Sequence, residues 1–332
     1  MKAVIFKGSG IPLEVGDFPK PRPVKDQVLI RLKAAALNHR DLWIIDEQAT
    51  VNRPEGVILG SDGVGIVEDV GEDADPLLTG AEVIINPSME WGNNSLVQGD
   101  TFKILGFPDN GTLAEFITVS KKYIFEVPEG LTLEESAALP LSGLTAYRAL
   151  FSKARLRAKE KVLITGIGGG AALWALTFAV AYGARVYVTS GSDEKIARAV
   201  SLGAAGGFNY TKQDWAESAA REAGGFDIII DSAGGDQFSK LIELALPGGR
   251  IVNFGRTAGT ITNLPTRLLY WKQLSIFGST MGTRDEFLSM IDFVESRKLK
   301  PVIDGVYPID QVKGAFERMR SKDHFGKLVI RL

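Results

Sequence analysis

The chain has 332 residues, 45% of them hydrophobic and 23% charged, which at about 150 residues per domain reads as two globular domains with sizeable cores. Lys and Arg (38) nearly balance Asp and Glu (40), so there is no basic footprint for nucleic acid. With no Cys and only two His, His39 and His324, the composition excludes disulfides, Cys-built zinc sites, iron–sulfur clusters, c-type haem, thiol nucleophiles and multi-histidine metal cages.

The first residues, Met1–Gly8, hold too short an apolar run for a signal-peptide core. Residues 1–124 carry short alternating runs between turn signals. Val28–Leu32, Gly65–Val70 and Ala81–Ile85 read as strands of a mostly β domain. From Lys161 the pattern becomes a βαβ alternation. Strands are expected at Lys161–Thr165, Arg185–Thr189, Gly207–Asn209, Phe226–Ile230, Arg250–Phe254 and Ser275–Gly278. Helices are expected between them at Ala171–Tyr182, Asp193–Leu202, Gln213–Glu222, Asp236–Leu246 and Pro265–Lys272. Near-continuous apolar strands alternating with helices predict an α/β fold with a doubly wound parallel sheet. The tail adds helices at Arg284–Ser296 and Gln311–Arg320 and a final apolar strand, Lys327–Arg331, expected at a sheet edge. The longest apolar stretch, Ala171–Ala181, falls short of the roughly 20 residues of a membrane span. The expected location is cytoplasmic, with no membrane partner.

Gly166-Ile167-Gly168-Gly169-Gly170-Ala171 follows the first strand of the sheet and opens a helix, matching G-x-G-x-x-G/A. The first glycine makes the tight turn, the second admits a pyrophosphate to the backbone, and the third small residue lets helix and strand pack closely. The helix N-terminus supplies free N–H groups to the phosphates. At the end of the next strand an NAD site usually carries a carboxylate that grips the ribose 2′-hydroxyl. Here the chain has Ser190-Gly191-Ser192, with Lys195 and Arg198 in the following helix as positive charge. NADP(H) is therefore the expected cofactor. Ser192 reads equally as a helix N-cap.

Further blocks are Leu37-Asn38-His39-Arg40-Asp41-Leu42-Trp43, Gly60–Val67, Ala138–Ala146, Asp231–Gly235, Gly248–Val252 and Phe325-Gly326-Lys327. In this order they resemble the medium-chain dehydrogenase/reductase superfamily, and specifically its zinc-free quinone oxidoreductase-like branch. The resemblance implies a GroES-like β-barrel catalytic domain (residues 1–124), a Rossmann domain (125–277) and a C-terminal return to the catalytic domain (278–332), with the active site in the cleft between the domains. Pairing of two copies at the final strand as a homodimer is an expectation that rests mostly on this resemblance. Where zinc-bearing members carry Cys, His-Glu and Cys or Asp ligands, this chain has Asn38, Ser61-Asp62 and Leu141. No metal is expected at such positions, because zinc prefers sulfur and nitrogen donors.

The candidate catalytic residues are Asn38, Asp41 and Trp43. Asn38, whose side chain both donates and accepts, orients a substrate carbonyl or the nicotinamide amide, or else structures its loop; Asp41 ties down the local turn or pairs with a basic group; Trp43 walls the pocket or fills the barrel core. Cofactor contacts are expected from Asn38, Thr145, Gly166, Gly168, Gly169, Gly170, Ser190, Ser192, Lys195, Tyr210, Ser232, Ala233, Asn253, Phe254, Gly255, Ser279, Met281 and Lys327. Several of these follow strand ends, where doubly wound sheets bind ligands. The implied activity is hydride transfer from NADPH to a small-molecule partner, a quinone or an α,β-unsaturated carbonyl. The alternatives are an enoyl-thioester or aldehyde/alcohol oxidoreductase and a non-catalytic NADPH-binding protein. Enoyl reduction would call for a Tyr or Thr acid in the loop Asp46–Gly56, which offers only Thr50.

Overall fold

The computed structural model describes residues 1–47, 50–51 and 53–332, so the loop Asp46–Gly56 lies partly outside the described residues. Backbone contacts divide the chain into two units, Met1–Ser142 with Gly282–Leu332, and Gly143–Met281.

The first unit begins with strands β1 (Lys2–Phe6), β2 (Glu14–Asp17) and β3 (Gln27–Ala36), then helix α1 (His39–Asp46). It continues through β4 (Val57–Ile58), β5 (Asp62–Val70), β6 (Glu82–Ile85), β7 (Ser88–Met89), β8 (Lys103–Ile104), β9 (Phe116–Ser120), β10 (Ile124–Glu126) and the short helix α2 (Leu133–Ala137). Strand β3 is long enough to serve three neighbours. It runs antiparallel to β5 along its length, and its first half pairs with β9. Glycine permits the tightest part of this pairing: a Cβ on Gly65 would lie 2.3 Å from the Arg31 carbonyl oxygen on β3. Ile30, Leu32, Val67, Val83, Ile85, Ile117 and Val119 fill one core beneath the curled sheet.

Helix α3 (Pro140–Tyr147) contains the boundary between units. The second unit alternates strand and helix: β11 (Lys161–Ile164), α4 (Gly170–Ala181), β12 (Arg185–Ser190), α5 (Asp193–Ser201), β13 (Gly206–Asn209), α6 (Trp215–Ala223), β14 (Phe226–Asp231), α7 (Phe238–Leu244), β15 (Ala245–Asn253), α8 (Thr266–Trp271) and β16 (Ser275–Gly278). All neighbouring strands are parallel, in the order β13-β12-β11-β14-β15-β16. Counted from β11 this is 3-2-1-4-5-6, the order of a complete dinucleotide-binding sheet. The expected α/β doubly wound fold is present. Helix α7 is shorter than the pattern implied because β15 already pairs at Ala245 with Phe226, then shifts register before Arg250 meets Ile228. Pro247, Gly248 and Gly249, within β15, lie in that irregularity.

The tail returns to the first unit as α9 (Arg284–Ser296), β17 (Ile303–Pro308), α10 (Val312–Arg320) and β18 (Lys327–Arg331). One sequence-based placement changes here. Strand β18 does not lie at an edge: it runs between β3 and β17, because its buried Leu328, Val329 and Ile330 would otherwise face water. Helix α2 packs on β3 and β5, and the first unit's opening segment runs to Ser142. Among the described residues, no helix is long and apolar enough to cross a membrane.

Substitution of Gly65 by Ala forces β3 and β5 apart. It is expected to lower the midpoint of thermal unfolding by about 5 °C, read by circular dichroism; an unchanged midpoint would contradict this account of the β3–β5 contact.

Candidate active site

In the second unit the ends of four parallel strands converge on Asp231, the last residue of β14. It is buried, and one carboxylate oxygen accepts from Thr165 Oγ1 at 2.7 Å and from the Ala233 N–H at 3.1 Å. The other accepts from the Gly234 N–H at 3.0 Å and from Asn253 Nδ2 at 2.8 Å. Asn253 also donates to the Gly255 carbonyl at 2.9 Å, and its own carbonyl receives the Ser279 N–H at 3.0 Å. Ser232 donates its hydroxyl to the Thr165 carbonyl at 3.2 Å. One carboxylate thus fixes the loops after β11, β14 and β15, and through Asn253 the loop after β16. The expected positions Ser232, Ala233, Asn253, Phe254, Gly255 and Ser279 are brought together; Asp231 and Thr165, which hold them, were not anticipated. Their signal was a polar residue ending each of two apolar strands.

The glycine turn has the shape its sequence implies. Gly166 and Gly168 have φ of +66° and +126°, values that exclude most side chains. The Ile167 N–H is tied to the Thr189 carbonyl of β12 at 2.9 Å. Gly169 caps α4 in extended conformation, so the first-turn N–H groups from Gly170 onward point out of the helix end. On the neighbouring loop, a Cβ on Gly255 would lie 2.4 Å from the Ser232 carbonyl oxygen. A bare backbone cradle backed by a helix N-terminus fits the diphosphate of a dinucleotide. The Ser279 hydroxyl is buried without a hydrogen-bond partner, a polar contact left open at the same strand ends. Met281 is buried with φ of +38°, and Thr145 is buried on α3.

At the end of β12, Ser190 Oγ accepts the Ser192 N–H at 3.2 Å and Ser192 Oγ accepts the Lys195 N–H at 3.3 Å. In these bonds both hydroxyls act as acceptors, which leaves each proton to donate elsewhere. Asp193 is turned toward Asn209 and Lys212, and their hydrogen bonds hold its carboxyl below the usual range. A Cβ on Gly191 would come within 3.0 Å of the Tyr210 hydroxyl, so Tyr210 stands directly over the Ser-Gly-Ser turn. Lys195 is half-buried on the first turn of α5.

In the first unit, Asn38 ends β3 and precedes α1. Its main-chain N–H donates to Asp41 Oδ2 at 2.8 Å, and its side-chain amide is engaged at both ends. Nδ2 donates to Asp62 Oδ2 at 2.9 Å, and Oδ1 accepts from Lys327 Nζ at 2.8 Å. Lys327 Nζ donates also to the Leu37 carbonyl and to Asp62 Oδ2, each at 2.8 Å. Asp62 Oδ1 accepts the Leu141 N–H at 2.8 Å. Both side chains expected at the cofactor or substrate are thus engaged within their own unit. Lys327 has three N–H groups directed at three acceptors, because an ammonium so deeply buried must satisfy all its donors. The Asn38 amide bonds Asp62 and Lys327. Trp43 is half-buried on α1. Ser61 donates its hydroxyl to the Leu105 carbonyl at 2.7 Å, and Arg40 reaches the Phe107 carbonyl at 2.9 Å. The His39 and His324 rings lie 5.8 Å apart, and burial, with neighbouring positive charge, lowers His39 to about 4.

Burial raises the Asp41 carboxyl to about 6, and its Oδ1 has no hydrogen-bond partner. The folded chain therefore holds a proton that the unfolded chain releases near pH 4. Stability falls as pH rises from about 4 to 6, and the full cost, about 3 kcal/mol, is present above 6. Asp41→Asn keeps an acceptor for the Asn38 N–H and removes that cost. It is expected to raise the unfolding midpoint by about 5 °C at pH 7.5 and by almost nothing at pH 4. Equal gains at both pH values would contradict the buried charge.

Residues 24–129 match the family model of the alcohol dehydrogenase GroES-like domain, and residues 170–296 that of zinc-binding dehydrogenase. The zinc-type alcohol dehydrogenase-like protein YogA of Leptosphaeria maculans is 37% identical over 97% of this chain and 95% of its own. Human quinone oxidoreductase is 29% identical over 95% of this chain and 92% of its own. A crystal structure of an NAD-dependent alcohol dehydrogenase superimposes with a TM-score of 0.94 at 36% identity, covering both chains completely. With the doubly wound sheet, the glycine cradle and this relatedness along nearly its whole length, the chain belongs to the medium-chain dehydrogenase/reductase superfamily of oxidoreductases.

Proposed function

We propose that this chain is an NADPH-dependent oxidoreductase that delivers hydride to a quinone or an α,β-unsaturated carbonyl without zinc. The observation that carries this reading is the engagement of the positions matched to zinc ligands. Asn38 and Asp62 hold the Lys327 ammonium, Ser61 is bonded to a carbonyl, and Leu141 offers only its backbone N–H to Asp62. Amide, hydroxyl and leucine are poor zinc donors, and the one carboxylate among these positions, Asp62, already shares the Lys327 ammonium with Asn38. Zinc therefore does not fit this donor set, although one matching family model carries zinc in its description.

When bound, the nicotinamide supplies a hydride. The chain's own residues hold and orient it. The α4 N-terminus and the turn Gly166–Gly169 take the diphosphate. The Ser190 and Ser192 hydroxyl protons and the Tyr210 hydroxyl face a 2′-phosphate, with Lys195 adding positive charge. Loops fixed by Asp231 place Ser232, Ala233, Asn253, Phe254, Gly255, Ser279 and Met281 along the strand ends, where the open Ser279 hydroxyl accepts or donates one bond. Without Lewis-acid polarisation of an alcohol or aldehyde oxygen, conjugation in a quinone or enone must activate the acceptor, and solvent water supplies the proton.

Strand β16 is a sheet edge with Trp271 76% and Tyr270 66% exposed beside it. We infer that two copies pair there as a homodimer. Ile276→Glu on β16 is expected to give monomers in sedimentation; a persistent dimer would place the interface elsewhere.

Steady-state turnover tests the activity, with NADPH and NADH against a quinone, an enal, an enoyl thioester and an alcohol, each with and without a chelator. Chelator-insensitive oxidation of NADPH by quinone or enal is expected. Ser190→Asp is expected to lower the NADPH-over-NADH ratio of kcat/KM at least about tenfold. Chelator-sensitive alcohol oxidation, or a preference for NADH like that of the NAD-dependent relative, would overturn the reading, and cofactor binding without turnover on any acceptor would favour a non-catalytic role.

A further inference from the structure

The Lys327 ammonium lies 2.8 Å from each of three oxygens: the Leu37 carbonyl, Asn38 Oδ1 and Asp62 Oδ2. Its side chain is 4% exposed and that of Asp62 is completely buried. The three acceptors come from the end of β3, the start of α1 and the start of β5, between 265 and 290 residues away in sequence. Asp62 closes the cage with two further bonds, from Asn38 Nδ2 and the Leu141 N–H. One positive charge, one negative charge and a complete set of hydrogen bonds make a cation site built by the fold and filled by the chain itself.

We propose that Lys327 is a tethered resident cation: its ammonium occupies a chamber built for an ammonium-class ion and positions Asn38 and Asp62, while shutting out divalent metals. The spacing supports this assignment. A separation of 2.8 Å suits N⁺–H···O bonds, whereas zinc needs donors at about 2.0–2.2 Å. Three acceptors match the three protons of an ammonium group, and a single carboxylate balances one charge, not two. Shortening the side chain at 327 would leave a pocket that ammonium or methylammonium fills. This inference deepens the zinc-free reading above and rests on it, but it concerns how the cage is filled, not which substrate is reduced.

The test uses the full chain with Lys327→Gly. Ammonium and methylammonium are expected to raise the unfolding midpoint of this variant by several degrees at millimolar concentration. They should leave the unsubstituted protein and the Lys327→Gly/Asp62→Asn double variant unmoved. Zinc added to the unsubstituted protein and then desalted should leave well below one equivalent by elemental analysis. If Lys327→Gly does not fold, the neutral variants decide. Lys327→Met and Asp62→Asn should each lower the midpoint by about 8 °C, and the double variant by clearly less than their sum. Strictly additive losses, an amine response equal to that of sodium, or stoichiometric zinc in the unsubstituted protein would overturn the proposal. Chelator-insensitive turnover of an alcohol but of no quinone or enal, alongside intact amine rescue, would sink the hydride-acceptor reading alone; chelator-insensitive turnover of quinone or enal with no amine response would sink the resident cation alone.

Discussion

A buried ammonium is the constraint around which the first unit is arranged. Lys327 stands at the start of β18, Asp62 at the start of β5 and Asn38 at the end of β3, so a single cage binds the last strand of the chain to the first long one. An unpaired charge at this depth would cost several kcal/mol. That cost is offset only when every proton of the ammonium and both oxygens of the carboxylate are engaged, as they are. The cage therefore tolerates little displacement of any contributor, and the run from Leu37 to Asp41 is held from both sides. The Asp41 carboxylate grips the Asn38 main chain while Asp62 and Lys327 grip its amide.

The second unit is organised in the same manner around a different charge. Asp231 satisfies its carboxylate with two backbone N–H groups, a threonine hydroxyl and an asparagine amide, and so locks loops that would otherwise move independently. A dinucleotide cradle needs bare backbone at close approach, which the glycines supply. It also needs that backbone held still, which the glycines cannot do. The carboxylate supplies the stiffness that the glycine-rich loops lack. The two hubs share a logic: a buried charge with complete hydrogen bonding restrains segments that sequence separates widely.

Much of this could be anticipated where the physics is local. The six parallel strands were readable from apolar runs alternating with helical periods, and the phosphate turn from glycine spacing beside a strand. The Ser190–Ser192 turn could be read because two hydroxyls stand where a carboxylate commonly ends that strand. Reading was weakest in the first unit. Strands such as β7 and β8 are two residues long and pair with each other in a small sheet of their own, so their residues hold almost no periodic signal. Helix α1 was hidden inside a motif, since Asn38 and Asp41, which cap its start, read as site or turn residues and not as the beginning of a helix.

What the sequence determined by itself was the inventory: no thiols, two histidines, a cofactor turn with serines where a carboxylate would select NAD, and poor donors at the positions matched to zinc ligands. Each is a property of residue identity or of neighbours a few positions apart. Tertiary structure alone decided what those residues touch. It joined Lys327 and Asn38 to Asp62, and it moved the last strand from an edge to the interior. The reason is that burying a charge is permitted only where distant segments bring it a full set of partners, and a one-dimensional pattern does not record which segments meet.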